Sequence, residues 1–287
     1  MLFAQCGSLV NSRTLRLLRN LHVAEYCTDC SCMHHLDCCI LKVRLCMQYS
    51  EKETKAQLLH RGEVLATVDT RQMNNHYGCV SPCGRFVASS GFTPDVKVWE
   101  VCFTKAGEFK EVKRAFELKG HTSGIFCFAF SNDSTRMASV SRDGTWRLWD
   151  CNIEYQKGQE PYLLTTGEFS DMTPSCIALS PDGRTVAIAT HTDVHVFCGR
   201  TGKLNILFEQ VHTDPVSALQ FSPNGRYLAA SAGKHVHVFN NIAGYENAID
   251  DLEDKKKAAN SQSIRERLQC QIEEARTTLK ALQQTAS

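Results

Sequence analysis

The sequence predicts an all-β protein of about four repeated units, each made of four short antiparallel strands, with an α-helix at the C-terminal end. The first observation behind this prediction is a turn of similar composition that recurs four times: SPCG at 81–84, SNDS at 131–134, SPDG at 180–183 and SPNG at 222–225. The starts of these turns are separated by 50, 49 and 42 residues. The second observation is that apolar runs of strand length lie on both sides of every turn.

Each unit can be followed strand by strand. One apolar run precedes the turn (YGCV, FCFAF, CIAL and ALQF), and another follows it (RFVASS, RMASVS, RTVAIA and RYLAAS). A third strand contains a bulky aromatic residue near its end (VKVWE, WRLWD, VHVF and VHVF), and a looser strand lies upstream of the unit (EVLATV, KRAFEL, PYLLTT and LNILF). Four strands repeated about every 40–50 residues are typical of the blades of a β-propeller. The chain is therefore predicted to form a partial β-propeller.

Three regions of the chain differ in composition. Residues 1–60 are rich in cysteine and show no sustained periodicity, so we expect an irregular, disordered segment there. Residues 61–242 hold the predicted blades. Residues 243–287 include the charge block DDLEDKKK, expected to be a linker or the solvated face of a helix, and continue as an amphipathic helix. The apolar stripe of that helix suits packing against the propeller or a coiled-coil contact with a partner, and it is formed by Leu268, Ile272, Ala275, Leu279 and Leu282.

The strand count leaves two ways to end the propeller. The strand at 63–68 is of the outer type, and the sequence before it gives no sign of the inner strands of the same blade. The last unit has no outer strand after it, so 63–68 could pair with 235–239 and close a four-bladed ring. We expect an open or strained partial propeller instead, because the contacts between blades suit a larger ring.

The unit from Gly120 to Asp150, GHTSGIFCFAFSNDSTRMASVSRDGTWRLWD, begins with Gly-His and ends with Trp-Asp. In this respect it resembles the WD40 repeat family. The resemblance implies a buried hydrogen-bond network inside the blade, with one histidine, one serine, one aspartate and one tryptophan. The counterparts in this sequence are His121, Ser139 or Ser141, Asp143 and Trp149. Strand alternation places both serines on the same face, so the sequence leaves the choice between them open.

The other units retain only parts of this pattern. The first unit has Asp95 and Trp99, the third has Asp193 and Phe197, and the fourth has Phe239 in place of tryptophan. Phenylalanine keeps the apolar volume of tryptophan and lacks its N–H donor. These units are therefore expected to depend more on apolar packing than on hydrogen bonds.

The resemblance extends to particular stretches of the chain. QMNN at 72–75, the segments 81–103, 114–121 and 128–150, and the tail RERLQCQIEEARTTLKAL are similar to one WD40 relative. That similarity implies a non-catalytic scaffold for protein–protein interactions, associated with the endoplasmic reticulum, with stress signalling and with translation control. It implies a stress-response kinase and RNA as partners.

The N-terminal part departs from that relative, which has further units and a hydrophobic anchor. This chain is therefore expected to be an N-terminally shortened or altered form. Membrane attachment is in doubt without the anchor, and no apolar run reaches the length of about 18 residues that crosses a membrane. Judged from its own residues, the chain would be cytosolic, and its 15 cysteines would be mostly thiols.

Two alternatives to a scaffold follow from the residues. The first is a hydrolase, because His121, Asp143 and a serine have the composition of a catalytic triad. The second is an RNA-binding module, although the net charge of +1 and the lack of a basic stripe with aromatic residues argue against nucleic-acid binding. No DNA and no cofactor are expected. The loops at 103–113 and 152–161 are candidate binding surfaces by their length alone.

The stretch CTDCSCMHHLDCC is the weak candidate for a metal site. Thiolate and imidazole ligands suit zinc, and the first pair of cysteines has the C-x2-C spacing. A second pair at the usual distance is missing, so disorder is the preferred interpretation, with a redox or lipidated segment as a further alternative. The candidate ligands are Cys27, Cys30, Cys32, His34, His35, Cys38 and Cys39.

Overall fold

The computed structural model of the chain describes residues 33–38, 43–49, 54–60, 63–72, 74–169 and 173–284. In this part of the chain, antiparallel strands form five sheets, and each strand pairs with the next one along the sequence. Such sheets are the blades of a propeller, and we number them 1 to 5 in chain order. The predicted all-β partial propeller is confirmed, with one blade more than the four or so that the turns indicated.

The strands fall into blades as follows. Blade 1 contains β1 (Met33–Cys38), β2 (Val43–Tyr49), β3 (Lys55–His60) and β4 (Glu63–Asp69), and blade 2 contains β5 (Asn75–Val80), β6 (Phe86–Gly91), β7 (Asp95–Phe103) and β8 (Phe109–Lys119). Blade 3 contains β9 (Ile125–Phe130), β10 (Arg136–Ser141), β11 (Thr145–Asp150) and β12 (Tyr162–Glu168). Blade 4 contains β13 (Pro174–Leu179), β14 (Thr185–Thr190), β15 (Asp193–Cys198) and β16 (Leu204–Phe208). Blade 5 has three strands, β17 (Ala218–Phe221), β18 (Tyr227–Ala232) and β19 (His235–Asn240).

Blade 1 corrects one expectation. Residues 1–60 were expected to be irregular, but β1, β2 and β3 lie in this range and supply the inner strands of the blade that β4 completes. The reason is a short alternation that the sequence analysis missed. Leu45 and Met47 of β2 and Ala56 and Leu58 of β3 are buried on the face that packs on blade 2. Residues 1–32 lie outside the described part of the chain.

The four recurring turns join the inner strand to the second strand in blades 2 to 5. In all four, the hydroxyl oxygen of the leading serine accepts a hydrogen bond from the backbone N–H five residues later, at 2.9 Å. Glycine follows at positive φ in three of the turns, and Ser134 adopts φ 60° at that place in the fourth. The side chain therefore holds each turn closed, which explains why serine begins all four. These serines are Ser81, Ser131, Ser180 and Ser222.

Apolar clusters join each blade to the next. The side chains that alternate along the strands point to two faces, and each face packs on a neighbouring blade. Between blades 2 and 3, for example, Val96 and Val98 of β7 pack with Ile125, Phe128 and Met137. The same arrangement recurs between blades 1 and 2, 3 and 4, and 4 and 5. The core of the molecule is therefore a series of layers between blades.

The arc is open in the part of the chain that the structure describes. Residues 63–69 pair with 55–60, within blade 1, and β19 pairs with β18. The pairing of 63–68 with 235–239 that would close a four-bladed ring does not occur. This agrees with the expectation of an open partial propeller.

Two helices follow the last blade. Helix α1 (Ile242–Ala258) begins at Asn241, whose side chain accepts a hydrogen bond from the Gly244 N–H at 3.0 Å. The charge block is thus part of a helix, and α1 lies against blade 4 through an ion pair of 2.8 Å between Arg184 and Asp251. Helix α2 (Gln262–Gln284) contains the predicted apolar stripe, which includes the buried residues Ile272 and Leu282. It packs on α1 within the same chain.

Candidate functional site

The side chains predicted to form a network meet in blade 3. His121 lies just before β9, Ser139 lies in β10, Asp143 lies in the turn between β10 and β11, and Trp149 lies in β11. The imidazole Nδ1 of His121 is 2.9 Å from Oδ2 of Asp143, and its Nε2 is 2.9 Å from Oγ of Ser139. The indole Nε1 of Trp149 donates to the same Oγ at 3.0 Å.

The four groups form one directional chain of hydrogen bonds. The indole N–H of Trp149 donates to Ser139, so the hydroxyl of Ser139 is free to donate to Nε2 of His121. Nδ1 of His121 then carries its proton toward the carboxylate of Asp143. This assignment, made from the network, gives a neutral imidazole and leaves no polar atom in the series of bonds without a partner.

Ser141 holds a different position, which settles the alternative that the sequence left open. Its hydroxyl donates to the backbone oxygens of Ser123 and Gly124, both at 3.0 Å, and accepts the N–H of Asp143 at 3.2 Å. Ser141 therefore fixes the turn that carries Asp143. Ser139 is the serine that contacts His121.

Two threonines complete the surroundings of Asp143, and the sequence analysis did not identify them. Thr145 donates to Oδ1 through its hydroxyl at 2.7 Å and through its N–H at 3.0 Å. The N–H of Thr122 donates to Oδ2 at 3.0 Å. Thr145 comes two residues after Asp143, which is the local spacing of a side chain that caps its own turn, and this spacing could have identified it.

These contacts set the charges of the site. Burial by itself raises the pKa of Asp143, but the hydrogen bonds from Thr145, Thr122 and His121 outweigh it and lower that pKa to about 2. Burial lowers the pKa of His121, and the hydrogen bond and charge of Asp143 oppose this shift without reversing it. Near neutral pH the site therefore holds a carboxylate and a neutral imidazole.

The triad-like group is closed to a substrate. Ser139 is fully buried, and its oxygen contacts both His121 and Trp149. A nucleophilic serine needs an exposed oxygen and donors placed for the developing negative charge. The geometry of these residues supports an internal brace between the strands of blade 3.

Blade 2 replaces the histidine network with amides. Gln72 is fully buried, and its Oε1 accepts the hydroxyl of Thr93 at 2.8 Å. Ser89, which occupies the position of Ser139, donates to Oδ1 of the buried Asn75 at 2.9 Å. Gln72 and Asn75 belong to the QMNN stretch, so the first and last residues of that motif have a structural use that the sequence analysis did not assign.

The two predicted residues of blade 2 have separate roles. Trp99 is buried in the cluster between blades 1 and 2. Asp95 lies 3.8 Å from the ammonium group of Lys97. The ammonium group also donates to the backbone oxygens of Thr70 and Arg71, at 3.1 and 3.3 Å. In blade 3, hydrogen bonds through His121 and Ser139 link Asp143 to Trp149. In blade 2, Asp95 pairs with Lys97 instead.

Blade 4 replaces the network with apolar packing. Ile188 stands at the position of Ser139, and Phe197 stands at that of Trp149. The ring of Phe197 lies 5.4 Å from that of Trp146 in blade 3, and stacks on His195 at 6.3 Å. Asp193 caps the next loop by accepting the N–H of Gln210 at 2.8 Å.

Blade 5 has its own arrangement of aromatic rings. Phe239 stacks on Phe208 of blade 4 at 4.5 Å. The imidazoles of His212 and His237 stack at 4.3 Å, and Nε2 of His212 donates to the backbone oxygen of Ala230 at 3.0 Å. Burial, together with the neighbouring histidines, lowers the pKa of His212.

The candidate metal ligands cannot be assembled into a site from the described residues. Cys27, Cys30, Cys32 and Cys39 lie outside them, and His34, His35 and Cys38 are described only as backbone of β1. The side chains that the structure does describe contain no cluster of His, Cys, Asp and Glu suited to a metal ion.

The described thiols of the inner strands are buried and protonated. Burial raises the pKa values of Cys79 and Cys127 strongly, and that of Cys176 to about 12. They pack as small apolar groups in the layers between blades.

A cleft of about 460 Å³ lies between blades 2 and 3, and we call it the interblade cleft. Its apolar walls include Phe86, Val101, Phe103 and Ile153. Its polar residues include Arg85 and Tyr155. Tyr155 belongs to the predicted loop 152–161, which folds back so that this ring packs on blade 2.

An ion cluster supports the wall of the interblade cleft. Arg85 donates to Glu100 at 2.8 Å and to the Tyr155 hydroxyl at 2.9 Å. Lys113 pairs with the other oxygen of Glu100 at 3.1 Å. Burial raises the pKa of Glu100, but hydrogen bonds from Tyr155, Arg85 and Lys113 lower it overall, so Glu100 is a carboxylate. Two cations thus face one buried anion beside an apolar wall.

The repeat pattern also matches a known family at sequence level. The description "WD domain, G-beta repeat" fits residues 112–150, which cover β8 to β11, and residues 203–240, which cover β16 to β19. The chain contains WD40 repeats. The first of these matches holds the complete network of blade 3, and the second holds the residues His212 and Phe239 of blade 5. Each sequence repeat thus begins with the outer strand of one blade and continues with the three inner strands of the next.

Known proteins with similar sequences agree with this assignment. Transducin beta-like protein 2 of Homo sapiens is 51% identical over 225 residues, which are 77% of this chain and 50% of that protein. The protein of the same name from Mus musculus is 51% identical over 224 residues, 77% of this chain and 51% of its own length. Ribosome assembly protein 4 of Saccharomyces cerevisiae is 35% identical over 71 residues, 24% of this chain and 12% of its own length. The chain spans about half the length of the transducin beta-like proteins it matches.

The helices add one finding about membranes. No helix in the described ranges is both long and apolar enough to cross a bilayer.

Proposed function

We propose that the chain is a non-catalytic WD40 scaffold that holds protein partners together. The observation that carries this proposal is the burial of Ser139 and His121 inside blade 3, where their polar atoms bind each other and the carboxylate of Asp143. The residues with catalytic composition are thereby used for structure, and function is left to the surfaces of the blades.

We infer further that the chain acts in stress signalling and translation control at the endoplasmic reticulum. The partners would be a stress-response kinase and RNA. The support is the similarity to transducin beta-like protein 2 over 77% of this chain, together with the WD40 resemblance of the sequence. Ribosome assembly protein 4 also has a name that points to a large complex, in agreement with a scaffold.

The interblade cleft is our candidate for the surface that receives a protein partner. Its apolar walls would take an apolar side chain, and the Arg85 guanidinium, which is half exposed, would attract a nearby carboxylate. A partner segment with an apolar residue next to an acidic one fits this combination.

A co-purification experiment tests the proposal. The tagged chain is expressed in cells under endoplasmic-reticulum stress, and the stress-activated kinase is measured in the purified fraction. Ile153→Glu places a charge in the cleft and is expected to reduce kinase recovery. Ile264→Glu, at an exposed position of α2, is the matched control and is expected to leave recovery unchanged. Kinase recovery no greater than that of an unrelated tagged propeller contradicts the partner assignment.

RNA binding is measured in the same preparation. Contacts with phosphates weaken steeply with salt, so RNA that is bound directly should be lost as the salt concentration rises. RNA that leaves together with the kinase, at a salt concentration that dissociates the kinase, would instead be carried by that partner.

A further inference from the structure

The outer strands of blades 3 and 4 hold much of the exposed apolar surface of the molecule. Ten large apolar side chains are exposed in the described part of the chain, and five of them lie on β12 and β16. Proteins seldom leave apolar side chains grouped in water unless that surface binds something. We call this group the rim strip, and it consists of Tyr162, Leu163, Leu164, Leu204 and Leu207.

The two strands of the rim strip are connected by the turn that precedes β16. The hydroxyl of Thr165, in β12, donates to the backbone oxygen of Arg200 at 3.4 Å. A Cβ on Gly202 would lie 2.6 Å from a backbone oxygen of β12, so this turn packs closely on that strand. Leu164 and Leu204 lie on the two sides of this contact and therefore belong to one surface.

A groove of about 210 Å³ opens beside the rim strip, and we call it the rim groove. Leu164 forms part of its wall, and the buried side chains of Leu148 and Cys198 add to its apolar lining. Helix α1 borders the groove through Asn247 and Lys255. The apolar surface of the rim strip thus continues into the groove.

The lining of the rim groove contains more cations than carboxylates. Its single carboxylate, Asp251, pairs with Arg184 and with Lys255, both at 2.8 Å. Four cationic side chains surround this one acidic group, so the groove favours an anion. The four cations are Arg136, Arg184, Arg200 and Lys255.

Two cations beside the rim strip have no acidic partner among the described residues. The guanidinium of Arg136 donates to the backbone oxygen of Gly183 at 3.0 Å and forms no ion pair. Lys203 is exposed on the turn before β16, next to Leu204, and it also forms no ion pair. Both cations are therefore available to bind an anionic partner.

The position of the rim strip favours a flat partner. β12 and β16 are the last strands of their sheets, so the strip lies at the periphery of the arc. The rim groove is smaller than the pockets of about 300–1,000 Å³ that usually enclose a small ligand. A peripheral apolar edge with cations beside it can lie flat on an anionic bilayer.

We propose that the rim strip and the rim groove bind the surface of an anionic phospholipid membrane. The leucines enter the boundary between headgroups and acyl chains, and Tyr162 lies at the level of the headgroups, where tyrosine is enriched. The lipid phosphates bind Arg136 and Lys203, whose long side chains extend toward the headgroups. The proposal is independent of the kinase and RNA partners.

Cosedimentation of the full chain with lipid vesicles tests the proposal. The chain is expected to sediment with vesicles of phosphatidylcholine mixed with phosphatidylserine, and to stay in solution with vesicles of phosphatidylcholine alone. Binding should weaken as the salt concentration rises, because salt screens the attraction between the cations and the headgroups.

A substitution in the rim strip tests the apolar part of the contact. Leu163→Glu places a charge where the strip enters the bilayer, and is expected to lower the partition coefficient by about tenfold or more. Phe92→Glu is the matched control, since Phe92 is also exposed and lies on the turn between β6 and β7. It adds the same charge and is expected to leave the partition coefficient within about twofold of the native value.

A substitution of one cation tests the electrostatic part. Lys203→Ala is expected to lower the partition coefficient by about fivefold, the effect of one lysine near an anionic surface. Lys105→Ala is the matched control, because Lys105 is exposed on the turn between β7 and β8, away from the rim strip. It is expected to bind as the native chain does.

Three results would overturn the proposal. The first is a native chain that binds neither kind of vesicle, or both kinds equally. The second is a Leu163→Glu variant that is folded by circular dichroism and binds vesicles as strongly as the native chain. The third is equally strong binding of glycerophosphoserine, the soluble headgroup, because the groove would then recognise a free phosphate group and not a bilayer.

Discussion

The indole N–H of Trp149 donates to the hydroxyl of Ser139 at 3.0 Å, and this bond joins β11 to β10 inside blade 3. It is the first of three bonds that end at Asp143. Because every donor in this series of hydrogen bonds has an acceptor, these four polar side chains can be buried without the cost of an unpaired group. Blade 2 also contains a histidine, a serine, an aspartate and a tryptophan, but there Ser89 donates to Asn75 and His76 to the backbone oxygen of Ile125.

Replacing Asp143 with alanine tests whether the network is a brace. The change leaves Thr122, Thr145 and His121 without their shared acceptor, and we expect a loss of about 1–3 kcal/mol in the free energy of unfolding. Urea denaturation measures this loss. Glu160→Ala removes an exposed ion pair with Lys119 and is the control, with an expected change below about 1 kcal/mol. A fully stable Asp143→Ala protein that has lost a hydrolytic activity would favour the enzyme interpretation.

A double-mutant cycle on Trp149 and Ser139 measures their coupling. Trp149→Phe removes the indole donor, and Ser139→Ala removes the oxygen that receives it. Each change alone is expected to destabilise the chain by about 1 kcal/mol or more. The double variant should cost less than the sum, by about 0.5–1 kcal/mol, since the two changes remove the same bond. Purely additive losses would show that the bond contributes no stability of its own.

The blades could be predicted from the sequence because their turns and strand alternation are local features. Ser81 and its three counterparts begin turns that a single side chain closes, so each signal lies within six residues. The His121 network could be placed in the same way, since the Gly-His and Trp-Asp pairs bracket one unit. The choice between Ser139 and Ser141 could not be made in this way, because strand alternation places both serines on the same face of β10. It depends on which of the two lies level with His121, and in the structure that is Ser139.

Other parts depended on contacts between distant segments. Gln72 is buried, and its amide oxygen is bonded by Thr93, which lies 21 residues further along the chain. Blade 1 was missed because its alternation is short: in β3 only Ala56 and Leu58 are buried between the exposed Lys55 and Gln57. Replacement of Ser139 by Ile188 in blade 4 became visible only when the strands were set in register. Ile188 and Phe197 together replace the bonded pair Ser139 and Trp149, and this is recognised only when the paired strands are compared.

The stability of the chain should fall in two stages as the pH decreases. His121 and His212 have lowered pKa values in the folded chain, so the unfolded chain binds more protons below about pH 6.5 and stability declines from there. Asp143 has its pKa lowered to about 2, so its contribution is complete above about pH 4 and is lost as the pH falls toward 2.

Urea denaturation at a series of pH values resolves the two stages. His212→Gln keeps a donor for the Ala230 oxygen and cannot titrate, so it should reduce the decline below about pH 6.5. Asp143→Asn should reduce the decline below about pH 4. A native chain whose stability is constant between pH 7 and pH 5, where the pKa of about 6.5 of an unfolded histidine lies, would contradict the assignment of buried neutral histidines.

A methyl group at Gly91 should disrupt the start of blade 2. Gly91 ends β6 opposite Asn75, and a Cβ there would overlap the backbone oxygen of Asn74. Backbone at that site can move only by breaking the strand pair, so Gly91→Ala is expected to cost at least about 2 kcal/mol. Gly107→Ala is the control, since nothing lies within 4 Å of a Cβ there and its φ of +84° accounts for a cost of about 1 kcal/mol. The melting temperature of Gly91→Ala should therefore be well below that of Gly107→Ala. Equal melting temperatures would contradict this prediction, because they would show that the backbone at Asn74 can move aside without loss of stability.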